Sequence, residues 1–224
     1  MKHFTSLPSR LGAVLILAAA GAVALAPAQQ PAAPAAATQL KIINMPNPKR
    51  VNVPTPEFQI RGSTPQALSR GRAREWAVID VDYETKFPAS AKDKWTDNVS
   101  ATFYVLAEAT LPDRTKEFSL YTLTVRYVNV PEGKHRAGVV LPPGALERYG
   151  QVVAIACEIT ADGVAAPEVK GEHAASELNA YKDDWWKNDK VTGAPFVKKR
   201  DGVLLERSKT PFGLVNMDDY EAVR

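Results

Sequence analysis

The chain has 224 residues with 28 Lys+Arg against 25 Asp+Glu, a formal net charge of +3. That balance is too close to neutral for a general nucleic-acid binder. The single cysteine excludes an internal disulfide, yet the length suffices for a full hydrophobic core without one.

The first 28 residues have the layout of a secretory signal. Lys2 and Arg10 make a basic start, Leu11 to Ala26 is an unbroken apolar run, and Ala26-Pro27-Ala28 fits the small-x-small pattern read by a signal peptidase. The run is shorter than the roughly 20 residues that span a bilayer. An uncleaved anchor is the alternative. No later segment is apolar enough to span a membrane, so an exported protein of the periplasm or cell surface is expected. Cleavage leaves 26 basic residues against 25 acidic ones, because residues 1–28 hold two bases and no acid.

Residues 29–56 read as a spacer and an extended segment. Gln29 to Thr38 is Ala, Pro and Gln, which cannot bury a core. Pro46, Pro48, Pro54 and Pro56 then block helix and central-strand pairing and leave at most an edge strand near Lys41-Ile42-Ile43.

From residue 57 to 170 the pattern has period two. Short strands are expected at Phe58–Arg61, Trp76–Thr85, Val99–Glu108, Phe118–Val130, His135–Leu141, Gln151–Thr160 and Val164–Val169. In the second, Ala77, Ile79, Val81 and Tyr83 face one way, and Asp80, Asp82 and Glu84 the other. The sixth is almost continuously apolar and belongs in the interior of a sheet. Pro131-Glu132-Gly133 and Asp162-Gly163 are turns, the latter a tight hairpin. Ala145 to Arg148 makes one helical turn. Seven strands at this spacing predict an all-β fold, an immunoglobulin-like β-sandwich of about seven strands; a barrel of the same strands is the alternative. The step Pro142 to Tyr149 resembles the corner leading into strand F of such domains. The inter-sheet cysteine pair is missing, and Tyr149 precedes its strand.

Residues 171–224 form a C-terminal extension. Ala174 to Asn188 favours a helix with Leu178, Tyr181 and Trp185 on one stripe. Asp201-Gly202 predicts a hairpin between Pro195–Arg200 and Val203–Arg207. Phe212 to Arg224 has enough apolar residues for one further strand or short helix.

The chemistry-bearing residues are few. His3 leaves with the signal, and His135 and His173 sit in polar or turn context as surface histidines. No G-x-S-x-G elbow and no zinc-ligand spacing occurs. Asp80, Asp82 and Glu84 share a strand face, but three acids spread over ~13 Å cannot reach one Ca²⁺ without loops, so a solvated face is expected. Cys157, inside Val152 to Ile159, reads as a buried inert thiol. These readings exclude an enzyme and a cofactor. Residues 41–74 hold Lys41, Lys49, Arg50, Arg61, Arg70, Arg72 and Arg74 against Glu57. They match either the acidic stretch Asp80 to Asp97 or an anionic envelope surface.

The candidate interaction residues are Trp185, Trp186 and Tyr181, with Lys198, Lys199 and Arg200 on the hairpin. The aromatics either dock the tail on the sandwich or contact a partner or glycan. The basic edge either guards against strand pairing or accepts a partner strand.

An export signal, an Ala/Pro spacer, the strand Trp76-Ala77-Val78-Ile79-Asp80-Val81-Asp82-Tyr83 in a 57–170 sandwich, and a Trp-containing tail resemble a group of verrucomicrobial exported proteins. Those proteins have an immunoglobulin-like domain and are associated with type IV pili. The resemblance implies a non-enzymatic accessory or assembly role in the envelope through contacts with envelope or pilus-associated proteins. A glycan-binding module is the alternative.

Overall fold

The computed structural model describes residues 40–56, 74–166, 172–173, 184–214 and 222–223. The predicted strand at Phe58–Arg61, the stretch 1–39 and most of the predicted helix, residues 174–183 with Tyr181, lie outside them.

The fold is mostly β. One sheet is built on β3 (Glu75–Lys86) and β8 (Gly133–Leu141), antiparallel over nine residue pairs from Ala77↔Leu141 to Thr85↔Gly133. β1 (Lys41–Asn44) and β2 (Lys49–Pro54) both pair with the other edge of β3. The second sheet centres on β5 (Val99–Thr110), flanked by β6 (Lys116–Val128) and β9 (Gln151–Ala161). β10 (Val164–Ala165) and β11 (Glu172–His173) continue it beyond β9. A small ribbon joins β4 (Trp95–Thr96) to β7 (Val130–Pro131). The long strand expected from Phe118 to Val130 is thus broken at Asn129, whose φ is +59°.

β2 is a departure from the sequence reading. The prolines do not prevent it: Pro46 and Pro48 fall in the gap between β1 and β2, and Pro54 ends β2. An edge strand tolerates a missing N–H on its outer side.

Alternation builds the core. Ala77, Ile79, Val81 and Tyr83 of β3 meet Val99, Ala101, Phe103 and Val105 of β5, with Tyr121, Val125 and Tyr127 of β6 and Ile155, Cys157 and Ile159 of β9. Two sheets therefore pack face to face across one core. A helical segment, α1 (Pro143–Tyr149), crosses between them and leads into β9. It ends at Gly150, where φ is +88° and a Cβ would stand 1.7 Å from the Glu108 carbonyl oxygen. Only glycine fits there.

The C-terminal extension is not the expected hairpin. β12 (Val197–Lys199) pairs in parallel with β6 at Phe118–Leu120, while β13 (Leu205–Glu206) pairs antiparallel with β8 at Val139–Val140. The Asp201-Gly202 turn, with Gly202 at φ +71°, carries the chain from one sheet to the other. β14 (Ala222–Val223) returns to β6.

Candidate functional site

The two tryptophans of the extension are inside the molecule. Residues 184–187 form a turn rather than the end of an α-helix. Trp185 is 0% exposed and Trp186 6%, edge to face at 5.9 Å. They pack on Leu106, Phe118, Leu120, Ala154 and Ala156 of the outer face of the second sheet. Their rings are covered by the chain itself, so they dock the tail and present no stacking surface.

Glu158 fixes that docking. It accepts from Trp186 Nε1 at 3.1 Å and from Tyr104 Oη at 3.3 Å, and pairs with Lys187 Nζ at 2.9 Å. Burial pushes its carboxyl upward, but the hydrogen bonds from Lys187 and Trp186 outweigh it and hold the group below the ordinary glutamate value. Burial, then the neighbouring Glu158 charge, raises the Tyr104 phenol.

The basic trio separates. Lys198 and Lys199 are exposed on β12. Arg200 turns inward: Nη2 pairs with Glu117 Oε1 at 3.1 Å, Nε donates to Ser119 Oγ at 3.1 Å, and its guanidinium carbon lies 4.0 Å from the Tyr149 ring centroid. Arg200 is a clasp between tail and corner.

His135 is not a surface residue. It is buried, tilted against Tyr83, with Nε2 2.9 Å from both Thr85 Oγ1 and the Pro131 carbonyl oxygen. Asp82 pairs with Arg136 at 2.6 Å. Among the described residues no group of three or more His, Cys, Asp or Glu could hold a metal ion. Cys157 is buried, and burial followed by the Glu158 charge lifts its thiol well above the usual range. Two described members of the basic stretch have partners outside Asp80 to Asp97. Arg74 pairs with Glu147 at 2.7 Å, and Arg50 Nη1 donates to the Val152 carbonyl.

Two surfaces stand out as open among the described residues. The first is the outer edge of β1 and β2, which pairs with no described residue. It exposes Ile43 at 48% and Val51 at 56%. The second is a cleft of about 820 Å³ at one end of the molecule, beneath Trp95 on the β4–β7 ribbon. Trp95 is 56% exposed. The ribbon is braced beside it by Lys94–Glu132 at 2.8 Å, and the Lys94 hydrogen bond holds the Glu132 carboxyl below its ordinary value. Sequence reasoning missed Trp95. The only signal was an aromatic in the polar link Lys92-Asp93-Lys94-Trp95-Thr96-Asp97-Asn98, outside any apolar period.

A family model matches residues 33–224. The chain belongs to that family. Three solved chains also match, among them the crystal structure of a protein from Akkermansia muciniphila, a verrucomicrobe. It is 18% identical, with a TM-score of 0.64 over 83% of this chain and 94% of that one. At that identity the likeness shows the shared fold alone. No curated protein matches.

Proposed function

We propose that this family member is a non-enzymatic exported protein of the cell envelope, an accessory or assembly factor of a type IV pilus or related secretion system. It acts by accepting an extended segment of an envelope protein along the β1–β2 edge. The reading of residues 1–28 as an export signal supports the location, and the match to a verrucomicrobial structure is in keeping with the pilus-associated group.

We assign the sandwich to the immunoglobulin type. The order β2-β3-β8 facing β10-β9-β5-β6, with α1 at the corner before β9, supports this.

The observation that carries the function is the open edge. Six residues of β2 pair on one side only among the described residues, and apolar Ile43 and Val51 stand exposed beside it. An edge of this kind offers main-chain donors and acceptors to an added strand, with side-chain contacts giving selectivity.

The test places a photo-crosslinking residue at Asn52, an exposed position of β2, and identifies the captured proteins from intact cells by mass spectrometry. Pilus or secretion-system subunits are expected, and their capture is expected to vanish when Ile43 and Val51 are both changed to lysine without loss of thermal stability. Crosslinks that exclude such subunits, or capture indifferent to the lysines, overturn the proposal.

A further inference from the structure

The cleft under Trp95 has the makings of a small-molecule site. It lies on the β4–β7 ribbon and the adjoining ends of β5, β6 and β9, and Val51 is not among the residues that line it.

Its walls are held in place. Asp97 Oδ1 accepts from the Asn129 backbone N–H at 2.7 Å. Asp162 Oδ1 accepts from Thr96 Oγ1 at 2.8 Å and from Asn98 Nδ2 at 3.4 Å. Each carboxylate is thereby fixed through one oxygen, and the other has no partner among the described residues. The backbone positions that aim them are unusual: Asn129 and Asp162 have φ of +59° and +50°. The sheet registers Ser100↔Arg126 and Ser100↔Thr160 set three polar side chains in one row across the floor. Arg126 is exposed and makes no ion pair with a described residue.

We infer that this cleft binds a neutral saccharide, with Trp95 as its stacking platform. Three features narrow the ligand to that class. An indole exposed beside a recess needs an apolar face to cover it, which the C–H face of a pyranose supplies. The floor and rim offer both donors and acceptors, which suits a polyhydroxylated molecule that is donor and acceptor at once. A cationic ligand would use only the carboxylates, and it would find one exposed ring where a cage needs several. Asp93, Asp97 and Asp162 against Arg126 disfavour an acidic sugar.

The floor continues past the cleft. Thr102 and Thr124, next along β5 and β6, are bonded to each other at 2.9 Å, and Thr122 follows, exposed. This hydroxyl-lined half of the sheet face runs up to the half that Trp185 and Trp186 cover. A chain of sugar units has a shelf to lie on beyond the first.

The test is titration of the full chain with glucose, galactose, mannose, N-acetylglucosamine and their β-linked tetramers, read by tryptophan fluorescence and saturation-transfer NMR. Saturable binding of at least one sugar is expected, weakened about tenfold or more by Trp95→Ala and by Asp97→Asn. It is expected to be unchanged by Val51→Lys, which addresses the sheet edge, so the two proposals fail separately. Binding of tetralysine in place of all the sugars, binding that survives Trp95→Ala, or no saturable binding with any of these probes overturns the inference.

Discussion

The Arg200 guanidinium carbon sits 4.0 Å above the centre of the Tyr149 ring, joining the C-terminal extension to the corner that leads into β9. Neither residue has this role in isolation. Tyr149 also lies 6.5 Å from the ring of buried Tyr121, whose phenol burial pushes up to about 12. Arg200 adds the Glu117 and Ser119 contacts on the neighbouring strand.

That geometry separates stacking from charge. Arg200→Ala is expected to cost about 1–3 kcal/mol, because it removes a cation–π contact and leaves Glu117 without its partner. Arg200→Lys recovers only part of this, since lysine is not planar and cannot make both bonds. Urea denaturation of the two variants checks the order. Equal stability of the Arg200→Lys variant and wild type would contradict it.

Trp185→Ala is expected to cost about 3–5 kcal/mol, the range for emptying a fully buried aromatic site. Trp186→Phe keeps most of the packing and loses the bond to Glu158, a smaller cost of about 1–3 kcal/mol. Limited proteolysis between residues 184 and 200 reads the same effect locally, because an undocked tail becomes cleavable.

The Glu158 carboxyl is held below its ordinary value in the folded protein, so its contribution to stability is present above the unfolded value near 4.5 and is lost as pH falls through the lower folded one. The melting-temperature gap between wild type and Glu158→Gln is therefore expected to be largest at neutral pH and to shrink in acid. A gap that widens below pH 4.5 would show that the charge is not what holds Trp186 and Lys187.

Gly150→Ala is expected to destabilise the protein by about 3 kcal/mol or more, because the site combines a left-handed φ with backbone contact that cannot relax cheaply. Gly163→Ala, at φ +79° in an open turn with nothing within 4 Å, is expected to cost less. Chemical denaturation of both separates close approach from backbone preference.

Cys157 is expected to resist a disulfide-exchange reagent in the native protein and to react fully in denaturant, since burial disfavours its thiolate. The rate of native-state labelling then measures opening of the sheet interior.

The strands were legible where one face meets the core and the other meets water or a thin cover. β3, β5 and β6 follow that rule, and the Asp162-Gly163 turn was readable from its two residues alone. The Asp201-Gly202 turn was equally readable, but a turn fixes only a reversal of direction. Whether its flanks pair with each other depends on which sheet edges are vacant, and here each flank found a different one. Surface and core were harder to tell apart for polar residues. His135 reads as solvated in a Gly-Lys-His-Arg context, yet cross-strand Thr85 and the Pro131 carbonyl give it partners that allow burial. Trp185 and Trp186 could be assigned to docking or to display, and only the apolar patch around Leu106, Leu120 and Ala154 decides for docking. Trp95 carried too little pattern around it to stand out.

The crossing of the extension from β6 to β8 also sets an order of events. Among the described strands, those supplied by residues 197–223 lie latest in the chain, and they finish an edge of each sheet. A chain that emerges amino-terminus first has both layers formed but their rims bare until residues 197–223 are free. During that interval Phe118 to Leu120 and Val139 to Val140 are available to any strand that comes near. The strands of residues 197–223 are the natural competitors for those rims, and the time they take to arrive is the time for which the protein is vulnerable to joining its neighbours.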